Sequence, residues 1–169
     1  MMYHDIRYED TLNGPGFRTV IFVSGCSHHC NGCHNPETWN PNDGVKLTNK
    51  DKHDILNSLR DPYIDGITFS GGDPLYDSNI LEVIEICKMI RNDDVAKNKS
   101  IWVYTGYTYE EILKRYSEIL LFADVIVDGP FILEEKDDKY LFAGSRNQRL
   151  IDVKSSVKSH EVVLWKPKF

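Results

Sequence analysis

Residues 17–33 read FRTVIFVSGCSHHCNGC, and this stretch joins a predicted strand to a group of three cysteines. The segment 17–23 is rich in β-branched and aromatic side chains and ends at a Ser–Gly pair, which predicts a buried strand followed by a turn. Cys26, Cys30 and Cys33 then follow with the spacing Cys-x3-Cys-x2-Cys. The sequence therefore places three sulfur ligands directly after the end of a strand.

Length and composition predict a single globular domain that covers residues 1–169. Of the 169 residues, 41% are hydrophobic and 27% are charged, which is close to the globular average and enough for one core. The net charge of −6 argues against non-specific nucleic-acid binding as the main activity. No apolar run approaches the roughly 20 residues that span a bilayer, and the N-terminus lacks the pattern of a signal peptide. We therefore expect a cytoplasmic protein with neither nucleic-acid nor membrane partners.

Strand and helix signals alternate along the chain. The predicted strands cover residues 17–23, 64–70, 101–105, 124–128 and 161–165. Helices are predicted after Thr48, after Asp77 or Ser78, and after Thr108, where a capping residue precedes apolar residues at helical spacing. This alternation predicts a parallel sheet with right-handed crossovers. Because four crossovers are too few for a closed eight-stranded barrel, the expected fold class is α/β with an open, curled, mostly parallel sheet.

The unusual loops of the sequence all follow predicted strands. They read GCSHHCNGCHN at 25–35, SGGDP at 70–74, TGY at 105–107 and DGPF at 128–131. The carboxyl ends of parallel strands meet at one edge of a sheet, where ligands bind in α/β folds. We therefore expect one site built from all four loops. Besides the cysteines, its candidate residues are Gly71, Gly72, Asp73, Thr105 and Asp128.

The three clustered cysteines indicate a metal or redox centre, because a reducing compartment disfavours disulfides. A four-iron cluster ordinarily takes four thiolates, so three of them leave one iron open to a small molecule. The alternative is a zinc site in which His28, His29 or His34 supplies a fourth ligand. The remaining cysteine, Cys87, shares a predicted helix face with isoleucines, and we expect it in the core.

The cysteine spacing resembles that of the radical S-adenosylmethionine (SAM) superfamily. In its longer form, CxHxCxGCxNxxTW over 26–39, the loop resembles the activating proteins of anaerobic (class III) ribonucleoside-triphosphate reductases. The segments 70–75, 102–108, 127–131 and 144–151 are similar to the same family, in the same order. Ala143 departs from the pattern, which has arginine there. The resemblance implies a partial (β/α) barrel of the radical SAM type.

The resemblance also implies the activity of a radical SAM activase. Cys26, Cys30 and Cys33 would hold a [4Fe-4S] cluster whose open iron binds SAM, and a flavodoxin-like external reductant would supply one electron. The 5′-deoxyadenosyl radical so formed would take a hydrogen atom from a glycine in the large subunit of the anaerobic reductase. By the same resemblance, Gly71, Gly72 and Asp73 line the methionyl amino group. Thr105 and Asp128 are expected at the same edge of the sheet, where Asp128 would accept a hydrogen bond from the ligand or help hold a cation.

Other functions fit parts of the sequence. Within the superfamily, the alternatives are an activase of another glycyl radical enzyme and a small nucleobase-modifying enzyme. Outside it, a zinc-binding module or a simple electron carrier would also use clustered cysteines. Two further segments are open to interpretation. The segment GSRNQRLI at 144–151 either contacts the protein partner or packs the end of the fold, and Arg18 needs a partner such as a carboxylate.

Overall fold

Seven strands form one sheet in the computed structural model, which describes residues 1–167. The strands are β1 (Met2–Asp10), β2 (Arg18–Val23), β3 (Val45–Lys46), β4 (Gly66–Gly71), β5 (Ser100–Tyr104), β6 (Val125–Asp128) and β7 (Arg149–Asp152). Their order across the sheet is β3-β1-β2-β4-β5-β6-β7. Strands β2, β4, β5 and β6 are parallel, and the other three pair antiparallel. The sheet is open, because β3 and β7 form its two edges.

The parallel centre of the sheet confirms four of the five predicted strands. The fifth prediction, a strand over 161–165, is wrong, since that segment contributes only an isolated bridge between Leu164 and Ile151. Its place at the sheet edge is taken by β7, which pairs with β6 through four residues. The last two residues of the predicted domain, 168 and 169, lie outside the described part of the chain.

Three helices connect strands, and a fourth follows the last strand. They are α1 (Asn49–Leu59), α2 (Ile80–Arg91), α3 (Tyr109–Arg115) and α4 (Val153–Ser159). Thr48 caps α1 in a reciprocal capping box with Asp51, and Thr108 caps α3 by accepting from the backbone N–H of Glu111. The predicted cap of α2 at Asp77 or Ser78 is wrong, because the N-cap residue is Asn79. The Asn79 amide leaves the helix uncapped and donates to the carbonyl oxygens of Ser24 and Asp73.

The two faces of the sheet are covered differently. Alternate residues of β5 show this, since Ile101 and Val103 pack in the core beneath the helices while Trp102 points to the opposite face. That opposite face is covered by aromatic residues of the later chain, among them Tyr140 and Phe142. The helix-free face is therefore the one available for a cavity.

Within residues 1–167, every helix is too short or too polar to form a membrane-spanning segment.

Candidate functional site

Loops at the carboxyl edge of the four parallel strands line a cavity of about 550 Å³. Seven of the eight predicted site residues line it, namely Cys26, Cys30, Cys33, Gly71, Gly72, Asp73 and Thr105. Residues 138–144 and residues 11–13 also line it. The structure thus brings together the loops after β2, β4, β5 and β6, as the strand alternation predicts.

The cysteine loop lies directly against the glycine pair at the end of β4. The backbone N–H of Gly72 donates to Val23 O and that of Asp73 donates to Gly25 O, both at 2.7 Å. Gly71 has a φ of +98°, and a Cβ on it would come within 2.5 Å of the Val23 backbone nitrogen. A Cβ on Gly72 would come within 2.6 Å of Gly25 O. Both glycines are therefore required for the two loops to touch.

The three clustered cysteines are free thiols of intermediate exposure. Burial raises the pKa of Cys26 to about 11 and also raises the pKa of Cys30. Both thiols therefore keep their protons at neutral pH when no metal is bound. Because only the thiolate is a metal ligand, metal binding here must release protons.

The Asp73 carboxylate is buried and accepts hydrogen bonds from four residues. Its Oδ1 accepts from the backbone N–H of Leu75 and from the Thr105 hydroxyl, both at 2.9 Å. Its Oδ2 accepts from the backbone N–H of Gly106 at 3.0 Å and pairs with His28 Nε2 at 2.9 Å. Asp73 thereby ties the loops after β2, β4 and β5 to one another.

His28 is the residue of this network that the sequence did not single out from its two neighbours. Its ring lies edge-on to Tyr107, with centroids 4.5 Å apart. Gly106 leaves room for it, because a Cβ there would lie 2.4 Å from His28 Cδ2. The other two histidines contact aromatic rings instead, His29 stacking on Trp39 and His34 packing on Phe131.

Asp128 does not line the cavity. Its carboxylate is buried and pairs with Arg149 at 2.6 Å, and it also accepts from the backbone N–H of Tyr109 at the start of α3. Arg149 reaches on to Glu110 at 2.8 Å, and this hydrogen bond lowers the Glu110 pKa. Asp128 thus joins β6, β7 and α3, and the role predicted for it toward a ligand stays a prediction.

The segment 144–148 makes its hydrogen bonds within the chain. The Gln148 side chain accepts from the backbone N–H of Gly144 at 2.9 Å and donates to Gly129 O at 3.1 Å. Asn147 donates to Pro130 O at 2.7 Å. These contacts hold the loop after β6 at the cavity. For Gln148 and Asn147 they favour the interpretation that the segment 144–151 packs the end of the fold.

A sulfur-rich cofactor fits the residues present. The three thiols supply the donors, and the cavity volume lies within the roughly 300–1,000 Å³ usual for ligand pockets. The indole nitrogen of Trp39, a residue that also lines the cavity, is buried and has no hydrogen-bond partner among residues 1–167. Cluster sulfurs accept such N–H bonds. A second donor set also lies here, since ligand atoms of Cys26, His28 and Asp73 lie within 4.8 Å of one another.

Comparison with known proteins gives the family. The 4Fe-4S single cluster domain matches residues 12–151. Anaerobic ribonucleoside-triphosphate reductase-activating proteins of Escherichia coli K12 and of Enterobacteria phage T4 are each 39% identical to the chain. The E. coli alignment covers 88% of this chain and 96% of the relative, and the phage alignment covers 95% and 100%. The protein of the same name from Vibrio cholerae is 38% identical, over 88% of this chain and 96% of its own length. The chain therefore belongs to the 4Fe-4S single cluster domain family, together with the anaerobic ribonucleoside-triphosphate reductase-activating proteins.

Proposed function

We propose that this protein activates the large subunit of an anaerobic ribonucleoside-triphosphate reductase, as a radical SAM enzyme with a partial (β/α) barrel. The observation that carries the proposal is the meeting of three thiols and a Gly-Gly-Asp loop in one cavity. The names of the relatives support the choice of target. The proposed location is the cytoplasm.

Six of the predicted site residues have a defined task in this proposal. Cys26, Cys30 and Cys33 hold a [4Fe-4S] cluster, which when bound supplies the electron that cleaves SAM. Gly71 and Gly72 carry no side chain, so the backbone of their loop comes close to the ligand as well as to the cysteine loop. Asp73 provides the negative charge for the ammonium end of SAM.

The rest of the cavity positions the reactants and excludes water. Residues 138–144 line the cavity and are held to β5 by the Tyr104 hydroxyl, which donates to Phe142 O at 2.6 Å. Leu12 and Leu141, which also line the cavity, are 75% and 48% exposed. They offer an apolar entrance for a glycine-bearing segment of the target. The partial exposure of the cysteines gives an external one-electron reductant access to the site.

Electron paramagnetic resonance of an anaerobic mixture tests the proposal. The protein with its reconstituted cluster is mixed with the reductase large subunit, SAM and a flavodoxin-like reductant, and we expect the doublet of a glycyl radical. Omission of SAM and the Cys30→Ala variant are the controls, and neither mixture should give the signal. Release of 5′-deoxyadenosine without a doublet would contradict the proposed target. Purification with a lone zinc ion and no SAM cleavage would contradict the radical chemistry itself.

A further inference from the structure

Trp39 is fixed against the cysteine loop by its backbone and by its ring. Its carbonyl oxygen accepts from the backbone N–H of Cys26 at 3.1 Å, and its own N–H donates to Pro36 O at 3.3 Å. The His29 ring stacks on the indole, with centroids 4.4 Å apart and an interplanar angle of 10°. Trp39 also lines the cavity, together with all three clustered cysteines. The loop that carries the proposed cluster ligands therefore sets the position of the indole.

The indole N–H of Trp39 is a buried donor that the chain leaves unused. An indole nitrogen can donate a hydrogen bond and cannot accept one. Nε1 of Trp39 is buried and finds no acceptor in the described part of the chain. An unsatisfied buried group in a folded protein requires an explanation, and a redox role or a bound partner supplies one. In the proposed function, the cavity beside this donor receives a cluster whose sulfur atoms accept hydrogen bonds.

Backbone N–H groups already face two of the three thiols. The N–H of Asn35 donates to Cys33 Sγ at 3.4 Å. Burial raises the pKa of Cys30, and a backbone hydrogen bond from Phe131 opposes that rise. Donors from the cysteine loop and from the loop after β6 thus surround the sulfur ligands. Trp39 differs from these donors because its N–H belongs to a side chain, which a substitution can remove.

We propose that the indole N–H of Trp39 donates a hydrogen bond to a sulfur of the cluster and thereby raises the reduction potential of that cluster. This inference deepens the proposed function and rests on it. Reduction adds one negative charge, and a hydrogen-bond donor stabilises the more negative of the two oxidation states. Trp39 therefore favours uptake of the electron from the external reductant. The stack on His29 holds the donor in place before the cluster binds.

Trp39→Phe removes the N–H and keeps an aromatic ring beside His29. We expect the ratio of reduced to oxidised cluster at a fixed potential to fall about ten-fold, which equals about 59 mV for one electron. The measurement is an anaerobic redox titration of the protein with its cluster, normalised to iron content. Trp165→Phe is the matched control, because Trp165 packs on Trp102 and does not line the cavity. The potential of this control should equal that of wild type.

An isosteric side chain separates the hydrogen bond from the packing of the ring. Benzothienylalanine at position 39 has the shape of tryptophan and carries sulfur in place of the indole N–H. We expect it to lower the potential as Trp39→Phe does. A wild-type potential with this side chain would overturn the proposal, because it would assign the effect of Trp39→Phe to packing.

Isotope labelling reads the contact directly in the unmodified chain. With nitrogen-15 in the tryptophan indoles, pulsed electron paramagnetic resonance of the reduced cluster should detect coupling to one such nucleus. Trp39→Phe should lose this coupling and Trp165→Phe should keep it. If no four-iron cluster assembles in wild type, the proposed function fails. If the cluster assembles and either the coupling is absent or Trp39→Phe keeps the wild-type potential, only this inference fails.

Discussion

At the residue scale, the thiols divide into three proposed cluster ligands and one core residue. Cys26, Cys30 and Cys33 line the cavity, whereas Cys87 is fully buried on α2. Burial raises the Cys87 pKa to about 12, so its thiolate is strongly disfavoured at neutral pH. The chemistry of the four side chains therefore follows from where the fold places them.

Alanine substitution tests this division. We expect Cys26→Ala, Cys30→Ala and Cys33→Ala each to abolish the four-iron cluster after anaerobic reconstitution, because two thiolates cannot anchor it. Cys87→Ala should retain wild-type iron and sulfide per chain. The measurement is iron and sulfide content together with the spectrum of the reduced cluster. A cluster that needs Cys87 and tolerates loss of one of the other three would refute this ligand set.

Arg18 is fully buried and has no carboxylate partner among residues 1–167. Its guanidinium donates instead to Thr68 Oγ1 at 2.9 Å, to Ile67 O at 2.8 Å and to both oxygens of Ser100. Burial lowers its pKa to about 10, so it remains a cation at neutral pH. The expectation of a carboxylate partner was wrong because carbonyl and hydroxyl oxygens of β4 and β5 satisfy the donors.

Replacement of Arg18 should therefore weaken the fold rather than the chemistry. Arg18→Met removes all these donors from the buried oxygens of Thr68, Ile67 and Ser100. We expect a loss of roughly 2–4 kcal/mol in the free energy of unfolding. Urea denaturation measures it, with Arg115→Met on the exposed side of α3 as the control. Equal midpoints for wild type and Arg18→Met would contradict this account.

At the scale of elements, one carboxylate joins the end of α1 to the loop after α2. Asp93 accepts from Arg60, the C-cap residue of α1, and from the backbone N–H groups of Val95 and Ala96. The hydrogen bond from Arg60 is the largest cause that lowers the Asp93 pKa, from 3.8 to about 2. The folded state thus favours the ionised form of Asp93.

This shift predicts a pH dependence of stability. A carboxyl group whose pKa is lower in the folded state stabilises the fold above its unfolded pKa, and loses that effect as the pH falls toward its folded pKa. Asp93→Asn should therefore be less stable than wild type at pH 7, and the difference should shrink from about pH 3.8 toward pH 2. Urea denaturation at a series of pH values measures the difference. A difference that is constant down to pH 3 would assign it to packing instead of charge.

Local pattern was enough to predict the central elements and not the edges. The parallel strands are buried and rich in β-branched residues, so their sequences are distinctive. Strand β1 reads MYHDIRYED and is mostly exposed or half-buried, and β7 has only four residues. Neither strand shows the alternation of apolar and polar residues that predicts a half-buried strand. Each is recognised as a strand only by its pairing with a neighbour. Residues 161–165 have the composition of a strand, yet they pair with the free edge of β7 only through a single bridge at Ile151.

At the scale of the whole molecule, local sequence pattern likewise predicts only part of the site. Strand alternation places the four loops at one edge, so most site positions follow from the sequence. The pairing of His28 with Asp73 spans 45 residues and depends on how two loops touch. Asp128 ends its strand at the same edge, yet its carboxylate pairs with Arg149 and does not line the cavity. Contacts between distant segments decide these roles, and a single sequence does not display them.

The core of the molecule is separate from the cluster site. The residues between the sheet and the helices form one buried group that contains Cys87 and none of the three site cysteines. We expect air to bleach the proposed cluster, because three thiolates would leave one iron open, while the circular dichroism of the sheet and helices persists. This differs from a zinc finger, which unfolds without its metal. After bleaching, only the backbone amides of the cysteine loop should lose protection from hydrogen exchange. A chromophore stable in air for days would contradict the open iron, and loss of the far-ultraviolet spectrum on bleaching would contradict an independent core.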